Sequence, residues 1–319
     1  MKRHVLVTGG AGFIGSHVAE AYLAAGYDVT VLDDLSTGRR ENLPAGVRLV
    51  HADVGSPEAH ALVARGGFDV VNHHAAQVDV RRSVADPVAD ARVNVLGLVN
   101  LVEGARAGGV RRLIFASSAA VYGEDAVPPI GERAAKLPAS PYGAAKLAAE
   151  HYLAMFARLY AIETVVLRYS NVYGPRQDPR GEAGVVAIFG QRVLAGRPVV
   201  VYGDGEQTRD LIHVTDVAAA NVAASRDALP ARGDPEAFSY NIGTGIETSV
   251  NQLARLVAEA AGRPGEVDHA PDRAGEIRRS ALQVDKACVE LAWVPGVSLP
   301  DGLRSTMHWL AAQKLLRAG

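Results

Sequence analysis

The stretch "SPYGAAKLAAEH" sets Tyr142 four residues before Lys146, a spacing that puts both side chains on one face of a helix. Such a pair has a definite chemical use. A free phenol titrates near pH 10, about three units too high for a proton acceptor at neutral pH, a gap of about 4 kcal/mol. An ammonium about 4 Å away offers a gross attraction of about that size at an effective dielectric near 20. Lysine suits the task because its compact charge on a flexible stem can face the phenol and still bond ribose hydroxyls. Arginine's wide planar fork would fit poorly. The choice is pointed in a chain with five lysines and twenty-eight arginines. The competing explanation is two ordinary helix residues.

A second chemical stretch opens the chain. "VLVTGGAGFIGSH" places Gly9, Gly12 and Gly15 between a strand and a helix. Gly10, Gly12 and Gly15 satisfy G-x-G-x-x-G equally well. Either set permits a tight turn and lets a pyrophosphate approach the helix N-terminus. Asp33 lies eighteen residues after Gly15, where a carboxylate accepts ribose hydroxyls and repels a 2′-phosphate. Asp34 follows it, so NAD is favoured over NADP, with Arg39 and Arg40 as the opposing signal. Asp53 ends the next strand and either meets the adenine amino group or caps a helix over 57–65; Ser56 fits the capping job better.

These residues need elements to hold them. Ser140 as N-cap and Pro141 in the first turn predict a helix over 141–160. Short apolar runs ("HVLVTG", "DVTVLD", "VRLVHAD", "FDVVNHHAA", "RRLIFASS", "TVVLRYS") alternate with helical patterns at 14–25, 57–65, 88–107 and 141–160. That alternation predicts an α/β fold, a Rossmann-type doubly wound parallel sheet covered on both faces. After Ser170 the rhythm loosens, and "FSYNIG" returns as a strand. The expected division is 1–170 plus about 211–243 for the dinucleotide, and about 171–210 with 244–319 as a smaller, mostly C-terminal substrate lobe.

Composition sets the outer limits. A chain of 319 residues with 48% hydrophobic residues can bury a large core, and a net charge of −2 points to no nucleic acid or membrane surface. No run is long enough to span a bilayer. Cys288 is the single cysteine, which fits a reducing, cytoplasmic setting.

The order of motifs resembles the extended short-chain dehydrogenase/reductase family, and within it the UDP-glucose 4-epimerases. The matching stretches include "TGGAGFIGSH", "LDDLSTG", "HHAAQVDVRRS", "NVLGLVNLVE", "FASSAAVYG", "SPYGAAK", "LRYSNVYGPRQ", "YGDGEQTRDLIHVTD", "YNIGTG" and "RAGEIRRS". They cover nearly the whole chain.

The resemblance implies a UDP-hexose substrate, bound NAD and a homodimer packed through helices near 88–107 and 141–160. It makes Ser118 the partner of Tyr142 and Lys146, with Tyr142 taking the 4-hydroxyl proton as C4 gives up a hydride. It adds Phe13, Ile14, Ser36, Thr37, Gly38, Val54, His73, Ala75, Ala76, Gln77, Asn94, Ser117 and Tyr169 to the cofactor contacts. Asn94 there is expected to anchor backbone. Substrate contacts are expected from Ala119, Ala120, Asn171, Arg209, Arg273, Glu276 and Ser280, with Val200 and Tyr202 at the uracil.

Ala119 and Ala120 stand where dehydrating or decarboxylating relatives carry acids, so those reactions are disfavoured. The resemblance also sets Ser280 beside the sugar's 2-position, where its small side chain is expected to leave room for an N-acetyl group. A UDP-glucuronate 4-epimerase, with Arg81, Arg82 or Arg176 on the carboxylate, is the alternative. A reductase with an exchanging cofactor and a dinucleotide-sensing protein without catalysis are more distant ones. His73 and His74 are adjacent on a strand, point to opposite faces and suggest no metal.

Overall fold

The computed structural model describes residues 2–160, 162–179, 184–226, 235–272 and 277–316. Its centre is a seven-stranded sheet. The first six strands are β1 (His4–Thr8), β2 (Asp28–Asp33), β3 (Arg48–His51), β4 (Val70–His73), β5 (Arg112–Ser118) and β6 (Glu163–Tyr169). With β7 (Asn171–Tyr173), β8 (Val199–Tyr202) and β9 (Thr208–His213) lying outside it, β10 (Ser239–Ile242) completes the sheet. The order is β10-β6-β5-β4-β1-β2-β3, every pairing parallel. Strand order reverses between β1 and β4. In such sheets ligands bind outside the carboxyl ends at that point.

Continuous apolar strands make sense here because alternate residues enter two different cores. Val5 and Val7 of β1 join one cluster and Leu6 the other; Ile114 and Ala116 of β5 oppose Leu113 and Phe115. Helix α1 (Phe13–Ala24) covers the first face. Helix α2 (Pro57–Ala64) is on the second, begun by Ser56, whose hydroxyl accepts the Ala59 N–H at 3.1 Å.

The segment expected as one helix over 88–107 is interrupted. α3 (Val80–Ala85) and α4 (Pro87–Ala91) precede a π-helical turn at Arg92–Leu96, and α5 (Gly97–Ala107) continues from it. The wide turn carries Asn94, and hydrogen bonds reward that geometry: its Oδ1 accepts the Gln77 N–H at 3.0 Å and its Nδ2 donates to the Gln77 carbonyl at 2.8 Å. α6 (Pro141–Tyr160) follows, with the Ser140 hydroxyl accepting the Gly143 N–H at 3.2 Å. α5 and α6 complete the second core.

The remaining helices are α7 (Val185–Leu194), α8 (Val214–Ala224), α9 (Val250–Ala261), α10 (Asp285–Glu290) and α11 (Leu299–Leu316). α8 packs with α1 on the first face. α7, α9 and α11 enclose a separate core of Phe189, Val199, Val201, Leu253, Val257, Leu303 and Met307. Two small sheets lie with this part: β7 and β9 with β11 (Glu247–Ser249), and β8 with β12 (Val267–Ala270). Among the described residues no helix is long and apolar enough to cross a membrane.

Candidate active site

A cleft of about 2070 Å³ runs from the β1–α1 loop, past the carboxyl ends of β4 and β5, to α7 and α11. That exceeds a typical single-ligand pocket of about 300–1,000 Å³. It has room for a dinucleotide and a second ligand together.

At one end Gly9, Gly12, Phe13, Ile14 and Gly15 form the wall. Gly9 has φ +65°, and a side chain there would press on the Ala75 backbone. A Cβ on Gly15 would run into the Gly9 carbonyl. Gly10 serves differently: it packs on Val31 and is not part of the wall. Of the two possible glycine triplets, the structure therefore puts Gly9, Gly12 and Gly15 at the cleft.

Asp33 ends β2 beside them. Its carboxylate accepts the Ala11 N–H at 2.9 Å and the Leu35 N–H at 2.8 Å, which ties the glycine loop to the strand end. Burial pushes its carboxyl up, against the pull of those two N–H groups. Asp34, Ser36, Thr37 and Gly38 continue the wall, and Asp53 and Val54 face them. Because Ser56 caps α2, Asp53 is left at the cleft.

In the middle lie Ala75, Ala76 and Gln77, then Ser117, Ser118, Ala119, Ala120, Tyr142, Lys146 and Tyr169. Lys146 is 3% exposed and its Nζ donates to the Ala116 carbonyl at 2.8 Å. The same Nζ is 5.8 Å from the centroid of the Tyr142 ring. Tyr142 is fixed through its backbone N–H, which donates to Ser83 Oγ at 3.2 Å. The Ser118 hydroxyl accepts the Ala120 N–H at 3.2 Å and caps a short 3₁₀ turn over Ala119–Val121. One phenol, one ammonium and one hydroxyl thus border a common space that the glycine loop also borders.

The other end holds Asn171, Arg209 and Ser280. The Arg209 guanidinium donates to the Thr208 and Ile277 carbonyls at 2.8 and 2.7 Å.

Several expected contacts lie elsewhere. His73 does not border the cleft. It is buried under the sheet, its Nδ1 2.7 Å from the Thr8 hydroxyl and its ring stacked on Phe115. Its neighbour His74 borders the cleft instead, because successive strand-end residues point opposite ways. His74 stacks on Tyr169, and burial holds it neutral, pushed down to about 3. Asn94 is also set back and acts on the Gln77 backbone. Ser117 borders the cleft, but its hydroxyl donates to Glu150 at 2.5 Å. Val200 and Tyr202 are not brought to the cleft, since β8 pairs with β12 in a sheet of its own. Arg273 and Glu276 lie outside the described residues.

Other residues escaped the sequence reading. Gln191, Leu194, Arg197, Trp309, Leu310 and Gln313 close the far end. They come from α7, the turn after it and α11, and no local motif marks them. Two ion pairs involve residues of the cleft wall. Arg39 meets Asp178 at 2.6 Å, and Arg176 meets Glu20 of α1 at 2.9 Å while donating to Ser16 Oγ at 3.3 Å.

The chain is similar to known proteins along most of its length. Residues 5–243 match the family model for the NAD dependent epimerase/dehydratase family. A UDP-glucose 4-epimerase of Mycolicibacterium smegmatis is 45% identical over 310 residues, covering 95% of this chain and 97% of that protein. The structure of a Thermotoga maritima UDP-glucose 4-epimerase with UDP-glucose superposes with a TM-score of 0.91 at 44% identity, over 98% of this chain and 99% of that one. A Thermus thermophilus UDP-glucose 4-epimerase in complex with NAD gives 0.88 at 45% identity, over 96% and 98%.

Proposed function

Because the chain belongs to the NAD dependent epimerase/dehydratase family, we propose that it is a UDP-hexose 4-epimerase interconverting UDP-glucose and UDP-galactose. The observation that carries this reading is that Tyr142, Lys146 and Ser118 border the same continuous cleft as the Gly9–Gly15 loop and Arg209. The cradle fits a dinucleotide, since a Cβ at Gly9 or Gly15 would fill the loop. Gly12, Phe13 and Ile14 would lie along the pyrophosphate at the start of α1, and Asp33 and Asp34 would take the adenosine ribose. NAD⁺, when bound, supplies the hydride acceptor and donor for C4.

The chain's own residues do the rest. Tyr142 takes the 4-hydroxyl proton and later returns it, with Lys146 favouring its ionised form. Ser118 bonds the reacting oxygen. Asn171 and Arg209 hold the diphosphate by charge and hydrogen bonds while the hexose turns. Ala119 and Ala120 offer no acid or base for elimination. Buried Ser280, small and at the cleft, supports acceptance of N-acetylated UDP-hexoses as well. Arg176 is committed to Glu20 and Ser16, which weakens the UDP-glucuronate reading.

Separate incubation with UDP-glucose, UDP-N-acetylglucosamine and UDP-glucuronate, followed by NMR of the product C4 centres, tests the assignment. Inversion of UDP-glucose is expected, with no net NADH. Stoichiometric NADH without inversion would overturn it.

The division at 1–170 plus 211–243 against 171–210 plus 244–319 is part of this proposal, supported by the separate core of α7, α9 and α11. So is a cytoplasmic setting, which the single Cys288 favours. A homodimer is supported by exposed apolar side chains on α3, α4, the π turn and α6: Val84, Val88, Leu96 and Leu159 are each more than 60% exposed.

A further inference from the structure

A buried ion pair lies behind the reacting groups and joins the two elements that carry them. Glu150 follows Lys146 by one turn of α6 and Tyr142 by two, so the three share a face. It is 2% exposed. Its Oε1 accepts the Ser117 hydroxyl at 2.5 Å and Arg168 Nε at 3.0 Å, and its Oε2 accepts Arg168 Nη2 at 2.7 Å. In the β5–β6 ladder Ser117 stands opposite Arg168, and the next rung is Ser118 opposite Tyr169. One residue before, the Ala116 carbonyl holds Lys146. Three successive residues of β5 therefore carry the lysine anchor, the Glu150 anchor and the serine of the site.

The anchor sits in a wider network of charges. Arg168 also donates to Tyr122, the Glu132 carbonyl and Glu236, and Lys136 pairs with Glu236. The buried Glu132 carboxylate and Lys286 extend the same network. A buried pair of this kind adds little net stability over a well-packed apolar pair. What it supplies is direction, because a carboxylate held by three donors on two strands permits one rotation and one depth of the helix that bears it.

We propose that Glu150 is a positioning residue: through Ser117 and Arg168 it sets α6 against β5, and so the separation of the Ser118 hydroxyl from the Tyr142 phenol. This rests on the reading of Tyr142 as the proton-transfer group. Holoenzyme bearing Ser117→Ala loses the link to β5 with no change of charge. Turnover is expected to fall about tenfold, as small misplacements do, with KM and NAD content unchanged, and Ser117→Thr should restore most of it. Glu150→Gln should show the same division with a larger fall. Wild-type turnover in Ser117→Ala overturns the proposal, as does a joint loss of turnover, substrate affinity and NAD.

A readout independent of activity separates this inference from the functional reading. The Tyr142 phenol is titrated as the phenolate absorbance that each protein loses on Tyr142→Phe. In Ser117→Ala it should move to higher pH, because the phenol then lies farther from the Ser118 hydroxyl that would donate to its ionised form; an unmoved titration overturns the proposal. His73 and His74 from β4 lie against Lys146, Asp79 and Arg82 border the same cleft, and Glu150 and Arg168 lie behind. Ser117→Ala replaces none of them. A wild-type protein that inverts no sugar would sink the epimerase reading and leave the titration to judge Glu150.

Discussion

Tyr142 and Lys146 are each tied to the surrounding frame by a bond that does not use the phenol oxygen. The phenol's residue is pinned through its own N–H to Ser83, and the ammonium through the Ala116 carbonyl. Removing the phenolic oxygen should therefore leave the frame intact. Tyr142→Phe is expected to lower turnover by about 10²–10⁴-fold while NAD and UDP stay bound, measured by NMR rates and by nicotinamide released on unfolding. A variant that keeps wild-type turnover would remove the proton role. These two residues were legible in the sequence because helical spacing alone puts them side by side. Val200 and Tyr202 were misplaced for the opposite reason. Which way a strand residue faces depends on the strand it pairs with, and β12 lies more than sixty residues away.

Among the elements, α1 depends on a single residue in its first turn. Gly15 lets the helix start press against the Gly9 carbonyl, leaving no room for a methyl group. Gly15→Ala should push the helix start off the loop and empty the cradle. The expected outcome is protein that purifies folded but with little nicotinamide; full NAD content would show that the loop adapts. The alternation of strand and helix was readable along the first 170 residues, since each element buries its own apolar stretch. The π turn at Arg92–Leu96 was not. Its sequence keeps a helical pattern, and only the Asn94–Gln77 bonds account for the wider turn. At the same scale, the proposed homodimer through the bare side chains of α4 and α6 predicts that Val88→Glu with Leu159→Glu halves the mass seen by light scattering. An unchanged mass, or a wild-type protein of monomer mass, would overturn that proposal.

For the molecule as a whole, buried histidines govern behaviour in acid. Burial lowers His17, His73, His74 and His213, with His17 at about 4 and donating to the Pro175 carbonyl. A histidine that titrates lower when folded than when unfolded sheds its proton on folding. Its penalty begins as pH falls through about 6.5 and, for His17, stops growing near 4. Each such group costs about 1.4 kcal/mol per pH unit inside its window. The melting temperature should thus drop steeply from pH 7 to pH 5, and His17→Gln should shallow that slope. A flat profile would contradict the burial argument.

The bridges Arg39–Asp178 and Arg176–Glu20 tie down three residues of the cleft wall, and the first is about 40% open to water on both sides. Screening at about 1 M salt shrinks the reach of such charges to about 3 Å, while the apolar cores are untouched. Brine should therefore strip the coenzyme before it melts the chain. Dialysis against concentrated sodium chloride is expected to yield folded, silent enzyme that NAD revives, and a preparation keeping its nicotinamide through that treatment would show the bridges to be ornamental.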